Sequence, residues 1–243
     1  MSAIFIKEIK SFFSSLTGYI AAIVFLAIFG LILWVFPGQF NILDNQYSTL
    51  DSLFYLAPWF FLFLVPAVTM KAFADEKKSG TLELILTKPI SDINLIMGKY
   101  LASVVLILII LLPSLIFYLS VFLLGNPIGN IDTGGTWGSF IGLFFLATAY
   151  VSIGIFASSF TDNQIVSFII AMVISFVVYL GFDSIASLES FSGMKYFITN
   201  LGINEHYNSM SRGVIDTRDL LYFICISLVF LFATRTVIQS RKW

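Results

Sequence analysis

The residues able to do chemistry in this sequence are few, and most lie in one stretch. Residues 73–99 read FADEKKSGTLELILTKPISDINLIMGK and carry Asp75, Glu76, Lys77, Lys78, Glu83, Lys88, Asp92 and Lys99, with Lys71 just before. No G-x-x-x-x-G-K-[ST] loop occurs. The Gly98-Lys99 pair is followed by Tyr100, so the chain has no phosphate cradle of this type. The single histidine, His206, has no Cys, His or carboxylate companions at metal-ligand spacing and is expected to be a solvated or hydrogen-bonded loop residue. Neither H-E-x-x-H nor G-x-S-x-G is present, which weakens a hydrolase reading. The single cysteine, Cys225, lies in an apolar run, cannot form an intrachain disulfide and reads as a small buried hydrophobe. The charged stretch is thus the feature to explain.

Its surroundings are apolar. The composition is 58% hydrophobic and 11% charged, with 27 Phe, whereas soluble domains hold roughly 25% charged residues. Charge-free runs at about 18–36, 53–70, 100–124, 137–160, 165–182 and 220–233 predict six membrane spans, the last extended to 220–235 with Thr234 and Arg235 at its snorkelling end. The runs are continuously apolar rather than alternating, so the expectation is an all-α integral membrane protein, not a barrel. The first run is too long for a signal-peptide core, no small-residue cleavage site follows it, and it reads as an uncleaved span. A net charge of −1 gives no indication of a nucleic-acid partner.

Lys and Arg set the orientation. With the N-terminus inside, Lys7, Lys10, Lys71, Lys77, Lys78, Lys88, Lys99, Arg235, Arg241 and Lys242 are cytoplasmic, against Lys195, Arg212 and Arg218 outside. Both termini are then cytoplasmic, 71–99 is a cytoplasmic loop and 183–219 an outer loop. The span middles hold no Asp, Glu, Lys, Arg or His, unlike ion-coupled carriers. A pathway lined by apolar, aromatic and hydroxyl groups suits amphiphilic or lipid-like cargo.

Within the cytoplasmic loop the second span is expected to continue as a helix through Lys78 and stop at Ser79-Gly80. TLELILT follows, with helix and strand both open, before Lys88-Pro89 breaks it and Ser91 or Asp92 caps the next helix. An amphipathic element outside the bilayer core must cover its apolar face with headgroups, its own protein or a partner. Residues 4–15, with Phe5, Ile9, Phe12 and Phe13 against Lys7, Glu8 and Lys10, predict an interfacial helix. Pro58, Pro66 and Pro113 are candidate helix bends. Gly134, Gly138, Gly142, Gly154 and Ser158 recur at multiples of four, a spacing for close helix packing, most simply within the chain.

The run EKKSGTLELILTKPIS resembles the cytoplasmic signature of ABC-2 type permeases, the membrane subunits of one class of ATP-binding-cassette exporters. The match falls on Glu76, Gly80, Thr81, Leu82, Glu83, Pro89, Ile90 and Ser91. EHYNSMSRGVIDTRDLLYF before the last span, and the lead-in MSAIFIKEIKSFFSSLTGYI, resemble the branch holding gliding-motility and nitrous-oxide-reductase-maturation permeases. The resemblance implies a bacterial inner-membrane protein whose 76–91 element docks on a separate cytoplasmic ATPase that holds ATP and Mg²⁺. It also implies a second copy or a paralogous permease, beside membrane lipid. A scaffold that merely recruits a protein, or an ATP-independent channel, are the rival readings.

Overall fold

The computed structural model describes residues 1–87, 89–188 and 193–240, which form helices and turns without a strand. Helix α1 (Ser2–Phe13) meets α2 (Leu16–Trp34) at a 64° bend. A one-turn helix α3 (Ile42–Asn45) precedes α4 (Asp51–Thr69), which continues almost directly into α5 (Lys71–Lys78). After α6 (Thr81–Leu86), α7 (Asp92–Leu111) runs through a 3₁₀ turn at Leu112–Ser114 into α8 (Leu115–Leu124). Then come α9 (Thr133–Phe160) and α10 (Gln164–Phe176), the latter prolonged by a π-helical segment, Val177–Gly181, and α11 (Phe182–Ala186). Two short helices, α12 (Lys195–Thr199) and α13 (Ile203–Ser211), lead to α14 (Thr217–Gln239).

Five helical runs are long and apolar enough to cross a membrane: Asp51–Lys78, Asp92–Leu124, Thr133–Phe160, Gln164–Ala186 and Thr217–Gln239. The bent pair α1–α2 supplies a sixth if taken as one span. The molecule is an all-α, multi-pass membrane protein. Lys88, Arg241 and Lys242, counted above among the inner bases, lie outside the described residues, as do residues 189–192 of the 183–219 segment.

α9 is the central helix. Its most apolar window is 78% buried inside the protein, against 22% for that of Gln164–Ala186. Small residues make this position attainable, since they let neighbouring backbones come close. A Cβ on Gly138 would fall 2.7 Å from Gly213 Cα, one on Gly142 2.8 Å from Met210 Cβ, and one on Gly154 within contact of Thr69. The glycine series of α9 therefore contacts α4, α13 and the turn after α13 of the same chain. Gly134 differs, with its nearest neighbour 3.6 Å away.

Pro58 and Pro66 sit inside an uninterrupted α4, and Pro113 lies in the 3₁₀ turn between α7 and α8. Proline lacks the N–H that would close the helical bond to the carbonyl four residues back. For Pro58 that carbonyl belongs to Phe54, and the Tyr207 hydroxyl donates to it at 2.7 Å. The 183–219 segment thus folds back as α13, with Ile203, Tyr207 and Met210 buried against the bundle. Cys225 corrects an expectation: it is exposed on α14, because that helix turns only one stripe (Phe223, Ser227, Leu231, Thr234, Ile238) inward.

Candidate functional site

One end of the bundle gathers α1, α5, α6, the start of α7 and the end of α14. Gln239 near the end of α14 reaches Asp92 at 3.4 Å, and α1 crosses α7 where Gly98 leaves room for Ile4. The charged stretch singled out above forms the middle of this end.

α5 is clamped on every side. Lys99 Nζ, 1% exposed, lies 2.7 Å from Glu8 Oε1, 3.1 Å from Glu76 Oε2 and 2.5 Å from the Ala72 carbonyl, with the Phe73 ring 5.0 Å away. The other oxygen of Glu76 takes Lys7 Nζ at 2.6 Å. Two lysines and two glutamates therefore join α1, α5 and α7 in an internally balanced cluster, in which the buried lysine meets two carboxylates. On the opposite flank Ser158 Oγ, near the end of α9, accepts from the Phe73 and Ala74 amides and donates to the Met70 carbonyl. That hydroxyl fills the gap where α4 gives way to α5. Lys77 donates to the Ser159 carbonyl, and Gln164 at the start of α10 donates to Asp75.

α6 is held along one face only. Gly80 takes a left-handed conformation (φ 68°), which a residue without Cβ adopts at little cost and which turns the chain sharply after α5. Of the two conformations left open for TLELILT, the helix is adopted: Leu82 packs into the core, Ile85 and Leu86 lean on it, and Thr81, Glu83, Leu84 and Thr87 face outward. Leu84 is 65% exposed, and Glu83 makes no ion pair among the described residues. Pro89 is exposed and Ile90 half-buried, and Ser91 caps α7 by accepting from the Asn94 amide at 3.3 Å.

The residues picked from the sequence therefore divide. Glu76, Gly80, Leu82 and Ser91 build and anchor the element. Thr81, Glu83 and Pro89 are presented on its surface. Sequence reasoning missed Leu84 as the exposed apolar residue, because the seven-residue period was ambiguous. It also missed Lys7 and Lys99 as partners of Glu76, and Glu8 as the second partner of Lys99; only the polar face of α1 hinted at the α1 residues.

Beside the clamp, a cavity of about 670 Å³ opens between α1, α2, α4 and α7. Its wall is apolar, including Val24, Phe25, Phe63 and Val68, with Glu8, Lys71 and Asp75 at one end. At the far end of the bundle His206 lies between Asp219 Oδ1 (2.7 Å) and the Asn200 carbonyl (2.9 Å), stacked on Tyr222. It ties α13 to α14. No group of three His, Cys, Asp or Glu among the described residues is placed to hold a metal.

A family model described as ABC-2 family transporter protein matches residues 2–237. None of the curated proteins matches the chain.

Proposed function

The chain belongs to the ABC-2 family of transporter proteins, and from that premise we propose that α6 is the docking element for a separate cytoplasmic ATPase subunit. The observation that carries the reading is the contrast between neighbouring helices: α5 is bonded to α1, α7, α9 and α10, while α6 leaves Glu83 and Leu84 exposed on its outer face. A push on α6 then passes through α5 into the membrane helices, because α5 has no slack of its own. α4, continuous with α5, receives the displacement first, and α1 and α7 follow through Glu76.

In this reading ATP and Mg²⁺ are held by the partner, and this chain is the non-catalytic membrane subunit. The distribution of Lys and Arg supports placing α6 on the cytoplasmic side of a bacterial inner membrane. A second permease, identical or paralogous, completes the transporter beside lipid. The 670 Å³ cavity, apolar along its wall and charged at one end, suits an amphiphilic cargo. The lead-in and the 205–223 stretch favour a role like that of the gliding-motility-associated permease GldF.

Purification of the chain from its own cell under gentle detergent, with ATPase activity then assayed in lipid, tests this. An ATP-hydrolysing subunit is expected to co-purify and to be released or uncoupled by Glu83→Lys. A partner that binds without any nucleotide-dependent change would favour the scaffold instead, and a chain that conducts without an ATPase would favour the channel.

A further inference from the structure

At the end of the bundle opposite Lys99, a second cavity of about 450 Å³ lies between the start of α4, the π-helical segment and α13. Its lining is unusual for a membrane protein surface. The rings of Tyr55, Trp59, Tyr179 and Tyr207 surround it, and Asp51 supplies a carboxylate with no cationic side chain in the lining. Tyr and Trp do gather at membrane interfaces as lipid-facing belts. Here Tyr55 and Trp59 are 63% and 36% exposed at the mouth, as such a belt would be, whereas Tyr179 and Tyr207 are 4% and 2% exposed and sit inside the protein. Tyr179 stands on the π-helical segment Val177–Gly181 and meets Trp59 edge-on at 5.9 Å. Such π turns shift the side-chain register of a helix and recur at binding sites.

Several of the polar groups are already committed to one another or to the backbone. The Asn208 amide nitrogen donates to Asn204 Oδ1 at 3.2 Å, and the Asn204 nitrogen donates to Asp183 at 2.7 Å. The Tyr207 hydroxyl is spent on the Phe54 carbonyl. The Asn208 main-chain carbonyl accepts from the Ser211 hydroxyl, which leaves the side-chain Oδ1 of Asn208 and the Asp51 carboxylate to accept. Asp51 also lines the adjoining cleft of about 110 Å³, where Arg212 lies, but among the described residues the two form no ion pair.

Aromatic rings around one carboxylate, with no cationic side chain in the lining, are complementary to a positively charged ligand carrying an apolar surface. We propose that this cavity binds an organic ammonium group, with Trp59, Tyr179 and Tyr207 as the ring wall and Asp51 as the counter-charge. The group belongs either to a free small cation or to the headgroup of a zwitterionic lipid. The site is independent of the docking role given to α6.

The test uses the full chain in nanodiscs of phosphatidylglycerol alone, with choline chloride as probe and titration calorimetry as readout. Saturable binding is expected. Asp51→Asn weakens it about tenfold or more, Trp59→Ala weakens it by a similar factor, and Asp51→Glu restores most of it. The neutral isostere 3,3-dimethylbutanol binds at least about tenfold more weakly than choline. Discs doped with phosphatidylcholine separate the two sources: lost choline binding assigns the site to the headgroup, and retained binding to a free cation. Absence of saturable binding, equal binding of the neutral isostere, or indifference to Asp51→Asn in a variant with unchanged melting overturns the proposal. Saturation by a methyl glucoside but not by choline would also overturn it and make the cavity a sugar site.

Discussion

The Lys99 ammonium lies 3.1 Å from Glu76 Oε2, so a residue two turns into α7 is held by the buried carboxylate of α5. This contact joins the two membrane helices flanking α6 at the level where a push on α6 would arrive. Glu8 on α1 completes the same cluster.

Removing the Glu76 charge is expected to cost far more than removing the charge of Lys7. Breaking a buried ion pair from one side costs about 3–5 kcal/mol, and an exposed pair contributes about 0–1 kcal/mol. The Lys7 side chain is 57% exposed and that of Lys99 1%. Glu76→Gln keeps the shape and some hydrogen bonding, so a fall in Tm of about 5 °C or more is expected in detergent. Lys7→Gln is expected to shift it little. Equal Tm values for wild type and Glu76→Gln would show that the cluster does not hold α5.

Tyr207 and Pro58 are expected to be coupled. Tyr207→Phe leaves the Phe54 carbonyl buried without a donor, which costs about 1–3 kcal/mol. Pro58→Ala restores a backbone N–H to that carbonyl. The cost of Tyr207→Phe therefore shrinks in a Pro58→Ala background, as a four-variant cycle of melting curves would reveal. Strict additivity would mean that the hydroxyl is not compensating for the proline.

The glycines of α9 are expected to differ in tolerance. Gly138→Ala forces a methyl against the Gly213 backbone, and overpacking of this kind costs about 1–3 kcal/mol. Gly134→Ala meets nothing closer than 3.6 Å and is expected to be silent. Comparable yields and Tm for both variants would contradict the close approach of α9 to the 211–213 turn.

The orientation read from Lys and Arg predicts which loops a membrane-impermeant maleimide reaches. In a Cys225→Ser background, a cysteine replacing Val214 is expected to react in intact cells, and one replacing Leu84 only after permeabilisation. Both positions are exposed, so a reversed pattern would invert the topology rather than report burial.

The long helices were legible because each is a continuous apolar run, and the Gly80 turn and Ser91 cap because single residue types specify them. The fate of the two motif glutamates was not. Glu76 and Glu83 look alike in sequence, yet one is 7% exposed inside an ion cluster and the other faces outward. Their difference depends on α1 folding back to bring Lys7 and Glu8 next to α5 and α7, contacts 69 and 91 residues apart in the chain. Local periodicity carries no information about such pairings. The same holds for Tyr207, whose partner on α4 is 153 residues away and becomes available only because Pro58 cannot donate. The expectation for Cys225 failed for a related reason: in a membrane helix an apolar neighbourhood in sequence does not distinguish the protein-facing stripe from the lipid-facing one.

The docking role of α6 is tested most directly by photo-crosslinking in the native cell, with a light-activated residue placed in turn at positions 83, 84, 82 and 76. The account predicts that 83 and 84 capture one nucleotide-binding protein in an ATP-dependent manner, while 82 and 76 give only intrachain products. Crosslinks from 83 and 84 to lipid alone would contradict it and leave α6 as an interfacial anchor.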